Sequence, residues 1–125
     1  MLYSILIYDS EALVEQLDPA EDALRIEKHR ALQKRLGERK SLGPVVRLMP
    51  STAAVTLAPG NEKPLVLDGP FAELKEQLVG FYVFEATSLE EAIELASGLP
   101  LDSGRLEIRP IQWFNPGHGA QPPGA

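Results

Sequence analysis

The chain has 125 residues and no cysteine, a length that predicts one domain whose core needs no disulfide or metal to hold it together. The lack of thiols excludes a disulfide framework, a cysteine nucleophile and a thiolate metal site; it also fits a reducing compartment, so we predict a cytoplasmic protein. The formal net charge of −6 argues against a partner nucleic acid, because phosphate contacts need clustered lysine and arginine.

The first predicted element is a strand at residues 2–8, which is apolar on both alternating faces and should be buried on both sides. This run is far shorter than the ~20 residues of a membrane span and has no basic leader, so we predict no membrane partner. A helix follows from Pro19 to Leu36, with Asp18 as its N-cap and Gly37 as its stop.

This helix carries a broad apolar arc that is predicted to face the sheet. Its members follow helical spacing and are Leu24, Ile26, His29, Ala31, Leu32 and Leu36. His29 is therefore expected to face the sheet, whereas Arg25 and Glu21 are expected on the water-facing side.

The middle of the chain predicts short strands around a rigid turn. The strands are expected at 45–48, 53–57 and 64–67. The turn follows them, and in it Gly69 permits backbone angles that other residues avoid, while Pro70 fixes its own φ. Asp68 places one carboxylate on this turn, and Phe71 is expected to anchor it in the core.

The last third predicts a strand, a helix and a final strand. The strand at 78–84 is again apolar on both faces. The helix begins with a capping box between Ser88 and Glu91 and ends at Gly98. The strand at 105–109 alternates apolar and charged residues, which is typical of a strand covered on one face or lying at an edge.

The element order β, α, β(β), β, α, β predicts a ferredoxin-like α+β fold. Two helices can cover only one face of a sheet, yet the strands at 2–8 and 78–84 are apolar on both faces. The second face is covered most simply by the same face of another copy, so we predict a homodimer. The domain is expected to span residues 1–114, followed by a disordered tail at 115–125 that has no large apolar side chain to dock.

His29 and Asp68 are the candidate catalytic residues. His29 is the one histidine before the predicted tail, and a free imidazole titrates near ~6.5. A carboxylate such as Asp68 against one ring nitrogen would leave the other free to move a proton. Structural alternatives stay open: a core-edge imidazole bonded to a carbonyl for His29, and an Asx-type turn for Asp68.

Tyr8, Lys75 and Tyr82 are candidate ligand-binding residues. Tyr8 ends a central strand and Lys75 follows the turn, so either could hold an anionic group at a pocket rim; the alternatives are a boundary tyrosine and a solvated lysine. Motifs for dinucleotides, phosphate loops, serine hydrolases and zinc peptidases do not occur in the sequence. We therefore predict no cofactor and no tightly bound metal.

Several separated motifs together resemble the DGPF-domain, or YCII-related, family of small bacterial proteins. These motifs are Leu6-Ile7-Tyr8-Asp9, His29-Arg30, Pro50-Ser51-Thr52, Asp68-Gly69-Pro70-Phe71, Gly80-Phe81-Tyr82 and Ile108-Arg109-Pro110-Ile111. One departure is Val79, where relatives often have a second glycine. The resemblance implies a dimeric α+β barrel with the two sheets back to back, and an active site built on a histidine and an aspartate, which match His29 and Asp68.

Two functions remain open at this point. The first is a cofactor-free enzyme or small-molecule-binding protein in which Asp68 orients His29 as a general base or acid; the resemblance adds that some YCII-like relatives act on lactones or chlorinated lactones. The alternative is a non-catalytic regulatory or interaction module, because family members are often encoded beside extracytoplasmic-function sigma factors. An acidic surface could then contact a basic partner.

Overall fold

The computed structural model describes residues 1–121 and contains six strands and three α-helices within them. In chain order they are β1 (Leu2–Ser10), α1 (Glu11–Glu15), α2 (Pro19–Glu38), β2 (Leu42–Arg47), β3 (Val55–Ala58), β4 (Leu65–Asp68), β5 (Glu76–Glu85), α3 (Leu89–Ala96) and β6 (Gly104–Pro110). A 3₁₀ turn at Ser51–Ala53 precedes β3.

Four strands form one antiparallel sheet in the order β2-β5-β1-β6, and β3 pairs with β4 in a separate two-stranded hairpin. The strand order and the helical crossovers are compatible with the predicted ferredoxin-like α+β arrangement. The four-stranded sheet of the described chain is open, with β2 and β6 as its edges. The predicted barrel is therefore not formed by one chain.

The core lies between one face of this sheet and the helices α2 and α3. Ile5 and Tyr82 face each other on neighbouring strands and pack with Leu36 of α2 and Leu95 of α3 in one buried cluster. The other face carries the alternate residues of the same strands, including Leu6 opposite Phe81. Both are only partly buried, so this second face remains partly open.

A β-bulge interrupts the pairing of β1 with β5. Ile7 lies opposite Gly80 and Tyr8 opposite Leu78, so Val79 is an extra residue in β5. Next to the bulge, the two strands β5 and β2 approach closely, because a Cβ added to Gly80 would lie 2.4 Å from the carbonyl oxygen of Val46. Glycine is required at Gly80 for this reason.

Helix α2 begins as predicted and ends later. The Asp18 side chain accepts from the Glu21 backbone N–H at 2.8 Å, and the Glu21 side chain accepts from the Asp18 N–H at 3.3 Å, which is a full capping box. The predicted stop at Gly37 is wrong, because Gly37 stays within the helix, whose last residue is Glu38.

Two packing predictions are wrong. The apolar arc of α2 is narrower than expected: Leu24 and Ile26 are 58% and 39% exposed, whereas Leu32 and Leu36 are buried. Phe71 is 93% exposed and does not anchor its turn in the core. The turn is held by the β3–β4 hairpin, since the Gly69 N–H donates to the Ala54 carbonyl and the Thr56 hydroxyl donates to the Gly69 carbonyl.

The end of the described chain has no regular structure. Residues 115–121 are exposed and lie in neither a helix nor a strand. The predicted disordered tail falls partly on residues 122–125, which lie outside the described residues, and its disorder stays a prediction.

Candidate functional site

The two aromatic rings of His29 and Tyr82 form a pair between α2 and β5. His29 Nδ1 lies 2.8 Å from the Tyr82 hydroxyl oxygen. The rings are stacked, with centroids 5.8 Å apart and an interplanar angle of 19°. Tyr82 is only 1% exposed, so the imidazole is fixed to a group that is itself rigidly packed.

Gln33 makes a second hydrogen bond to the tyrosine of this pair. Its Nε2 donates to the Tyr82 oxygen at 3.2 Å. The direction of the hydrogen bond between Tyr82 and His29 follows the tautomer of the ring. Where the Tyr82 O–H donates to Nδ1, neutral His29 carries its proton on Nε2.

The Nε2 atom of His29 is not fully buried. The described residues offer Nδ1 a partner but show no hydrogen bond to Nε2. Throughout residues 1–121 the Glu76 Oε2 atom alone is a fully buried side-chain nitrogen or oxygen without a partner. Because Nε2 is not in that class, part of its surface is exposed.

Burial and two arginines keep His29 neutral. Desolvation lowers the pKa of His29 below its usual 6.5, and the charges of Arg25 and Arg47 lower it further, while the Asp9 carboxylate opposes them. Burial raises the pKa of Tyr82 above its usual 10.0. At neutral pH both groups therefore hold the protonation states that the hydrogen-bond chain requires.

A buried ion pair lies beside this ring pair. Asp9 Oδ2 and Arg25 Nη2 are 2.6 Å apart, and the side chains are 7% and 16% exposed. Asp9 also accepts from the Ser10 N–H at 3.0 Å and from the Ser103 hydroxyl, while Arg25 Nη1 contacts Asp102 at 2.7 Å. Charge at the end of β1 is thereby neutralised and fully hydrogen-bonded.

The sequence analysis missed Arg25 and placed it on the water-facing side, which is wrong. A signal was present, because a residue four positions before His29 lies only about 40° away on the helix. Asp9 follows directly after the apolar part of β1, where a carboxylate needs a partner if it is buried.

Asp68 is not brought to His29. It lies exposed at the end of β4, outside the four-stranded sheet. With the exposed Lys75 it lines a groove of about 570 Å³ that also includes Glu11 but does not include His29. The expected contact between the two candidate catalytic residues is therefore absent from the described chain, and Tyr82 is the residue that orients the imidazole.

Tyr8 lies on the sheet face opposite to His29. It lines a second groove of about 510 Å³ together with Met49, Phe71 and Leu78, and the unpartnered Glu76 carboxylate borders the same groove. The five candidate residues thus fall into two regions: His29 with Tyr82, and two adjoining grooves that share Ser51, Pro70, Leu74 and Gln77, one lined by Asp68 and Lys75 and the other by Tyr8.

The described residues hold no group of three or more His, Cys, Asp or Glu side chains that could bind a metal ion. In the same part of the chain, no helix has the length and apolar character needed to cross a membrane.

The geometry defines a small α+β domain with an antiparallel sheet and one histidine–tyrosine pair between helix and sheet. A family model described as YCII-related domain matches residues 1–115, and the chain belongs to this family, as its motifs had indicated. A curated relative from Rhizobium meliloti (strain 1021), "Uncharacterized protein R00369", is 41% identical over 120 residues, covering 94% of this chain and 97% of that protein.

Proposed function

We propose that this chain is a cofactor-free small-molecule-binding protein in which His29 Nε2–H donates a hydrogen bond to an oxygen of the bound molecule. The observation that supports this proposal is a series of hydrogen bonds centred on the Tyr82 hydroxyl oxygen. Gln33 Nε2 lies 3.2 Å and His29 Nδ1 lies 2.8 Å from this oxygen. In the tautomer in which Tyr82 donates to Nδ1, the N–H donor of the neutral imidazole is Nε2, an atom that is not fully buried. The compartment we expect is the cytoplasm.

This donor suits chemistry beside a carbonyl group. A neutral imidazole N–H polarises a carbonyl oxygen and stabilises negative charge on it. In its resting tautomer Nε2 has no lone pair, so His29 acts as the hydrogen-bond donor and not as the base. Tyr82 takes the orienting role that the sequence had given to Asp68.

The proposal is tested by the ring tautomer of His29, read from long-range ¹H–¹⁵N NMR spectra of labelled protein at pH 7.5. We expect a protonated Nε2, an unprotonated Nδ1 and a pKa below the usual 6.5. Gln33→Glu places an acceptor beside Tyr82, so the tyrosine must accept from Nδ1–H and the ring proton moves to Nδ1.

His118, outside the site, gives a second imidazole in the same spectra. Gln33→Glu is expected to leave its tautomer unchanged. A wild-type His29 that carries its proton on Nδ1, or that titrates in the ordinary range, would contradict the proposed role.

We further propose that the chain is a homodimer whose open sheet faces pack against each other. Leu6 and Phe81 are paired at the centre of this face and Val46 lies beside Phe81. Such a face buries its apolar area most simply against a second copy.

A regulatory module that binds a different protein, such as a sigma factor, is the rival. The β3–β4 hairpin favours it, because the side chains of Val55, Leu57, Leu65, Val66 and Leu67 are about half exposed or more. The oligomeric state tests the dimer.

A further inference from the structure

Arg47 is a cation that the fold leaves without a partner. It is exposed at the end of β2, and no hydrogen bond or ion pair from its side chain is found within residues 1–121. Arg25, in contrast, is engaged by Asp9 and Asp102. The charge of Arg47 is therefore available to a ligand.

The strand register places Arg47 on the same face of the sheet as the Tyr82 side chain. Val45 lies opposite Tyr82 and Arg47 lies opposite Gly80. Residues two apart on a strand share a face, so Arg47 extends over the face on which Tyr82 meets His29.

The charged groups around His29 sum to zero, since the carboxylates of Asp9 and Asp102 offset the guanidiniums of Arg25 and Arg47. Both carboxylates contact Arg25, so Arg47 is the member that no carboxylate engages, and its charge lowers the pKa of His29. A planar guanidinium binds a carboxylate with two parallel N–H donors. A bound monoanion leaves one net negative charge in this group, whereas a dianionic phosphate leaves two that repel each other.

We infer that the molecule bound at His29 is a small carboxylate, with the carboxylate on the Arg47 guanidinium and one oxygen of the molecule accepting from His29 Nε2–H. This inference rests on the proposed function and adds the class of ligand and a binding residue to it. The bound anion also adds negative charge beside the imidazole, so it must raise the pKa of His29.

The experiment titrates the full-length protein with benzoate and, separately, with benzamide and inorganic phosphate, following the His29 ring and the Arg47 side-chain N–H by NMR. Benzoate is expected to shift both groups and to raise the pKa of His29. Arg47→Gln should weaken benzoate binding by about tenfold or more, as expected for a lost charge-assisted bond.

Arg30→Gln is the matched control. Arg30 is exposed on α2 without an ion pair in the described chain, so this variant changes the net charge equally but should bind benzoate as the wild type does. Equal benzoate affinity in Arg47→Gln and wild type, or no saturable binding, would overturn the inference.

Benzamide that binds as tightly as benzoate, or phosphate that binds more tightly, would overturn the carboxylate class. The tautomer measurement stands apart from these outcomes. A His29 that carries its proton on Nε2 in a protein indifferent to benzoate would reject the ligand class and keep the proposed function, whereas the wrong tautomer would reject the function itself.

Discussion

Asp9 is the buried charged residue of the described chain, at 5% exposure. We expect Asp9→Asn to lower the free energy of unfolding by about 3 kcal/mol, because Arg25 loses its buried partner while remaining largely desolvated. Urea denaturation followed by circular dichroism measures the change.

Asp102→Asn is the control for this prediction. It removes the other partner of Arg25, whose side chain is 65% exposed, and should cost less than about 1 kcal/mol. An equal loss of unfolding free energy in Asp9→Asn and Asp102→Asn would contradict the prediction that the buried partner of Arg25 contributes more to stability than the exposed one.

At the residue scale the sequence named two residues that the structure pairs, but it did not predict their contact. His29 and Tyr82 were both singled out, but their pairing spans 53 positions and depends on how α2 is rotated over the sheet. Asp68 stood out because its turn is conspicuous in the sequence. Its distance from His29 could not be predicted, because β3 and β4 leave the main sheet.

At the element scale, Gly80→Ala tests the close approach of β2 and β5. The new methyl carbon would lie 2.4 Å from the Val46 carbonyl oxygen, and a backbone atom cannot give way cheaply. We expect a loss of about 2 kcal/mol in the free energy of unfolding, measured by thermal and urea denaturation.

Gly37→Ala provides the opposite outcome in the same experiment. No atom lies within 4 Å of the added carbon at this helical position. Alanine is the better helix former, so stability should rise by about 1 kcal/mol. If Gly80→Ala left the free energy of unfolding unchanged, the close packing of β2 and β5 would be contradicted.

The starts of the helices α2 and α3 were predicted well, because N-cap residues mark them in the sequence. Asp18 and Ser88 both cap their helices. The capping box predicted between Ser88 and Glu91 is only half formed, because the Glu91 side chain accepts from the Thr87 N–H and not from the Ser88 N–H. The end of α2 was misjudged because Gly37 is tolerated within the helix. The bulge at Val79 was not predictable, since it arises from the pairing of β1 with β5 and not from a local pattern.

At the scale of the whole molecule, we expect light scattering after size-exclusion chromatography to give twice the chain mass. Phe81→Arg places a charge at the centre of the open sheet face, between Leu6 and Val46 on the neighbouring strands, and should yield monomers because a buried unpaired charge is costly.

Leu101→Arg is the control, since Leu101 is 54% exposed in the connection between α3 and β6 and should leave the dimer intact. A monomeric wild-type protein would contradict the dimer and favour the regulatory alternative. If the Phe81→Arg variant remained a dimer, the subunit interface would have to lie on a different surface of the chain.

The strand order has a consequence for synthesis. Strand β1 is made first and occupies an interior position in the sheet, but its neighbours β5 and β6 begin at Glu76 and Gly104. Pairing over such separations must close long loops before any contact offsets the entropy, which slows folding. A nascent chain emerging from the ribosome therefore carries an unpaired apolar β1 until β5, which ends at Glu85, has also emerged.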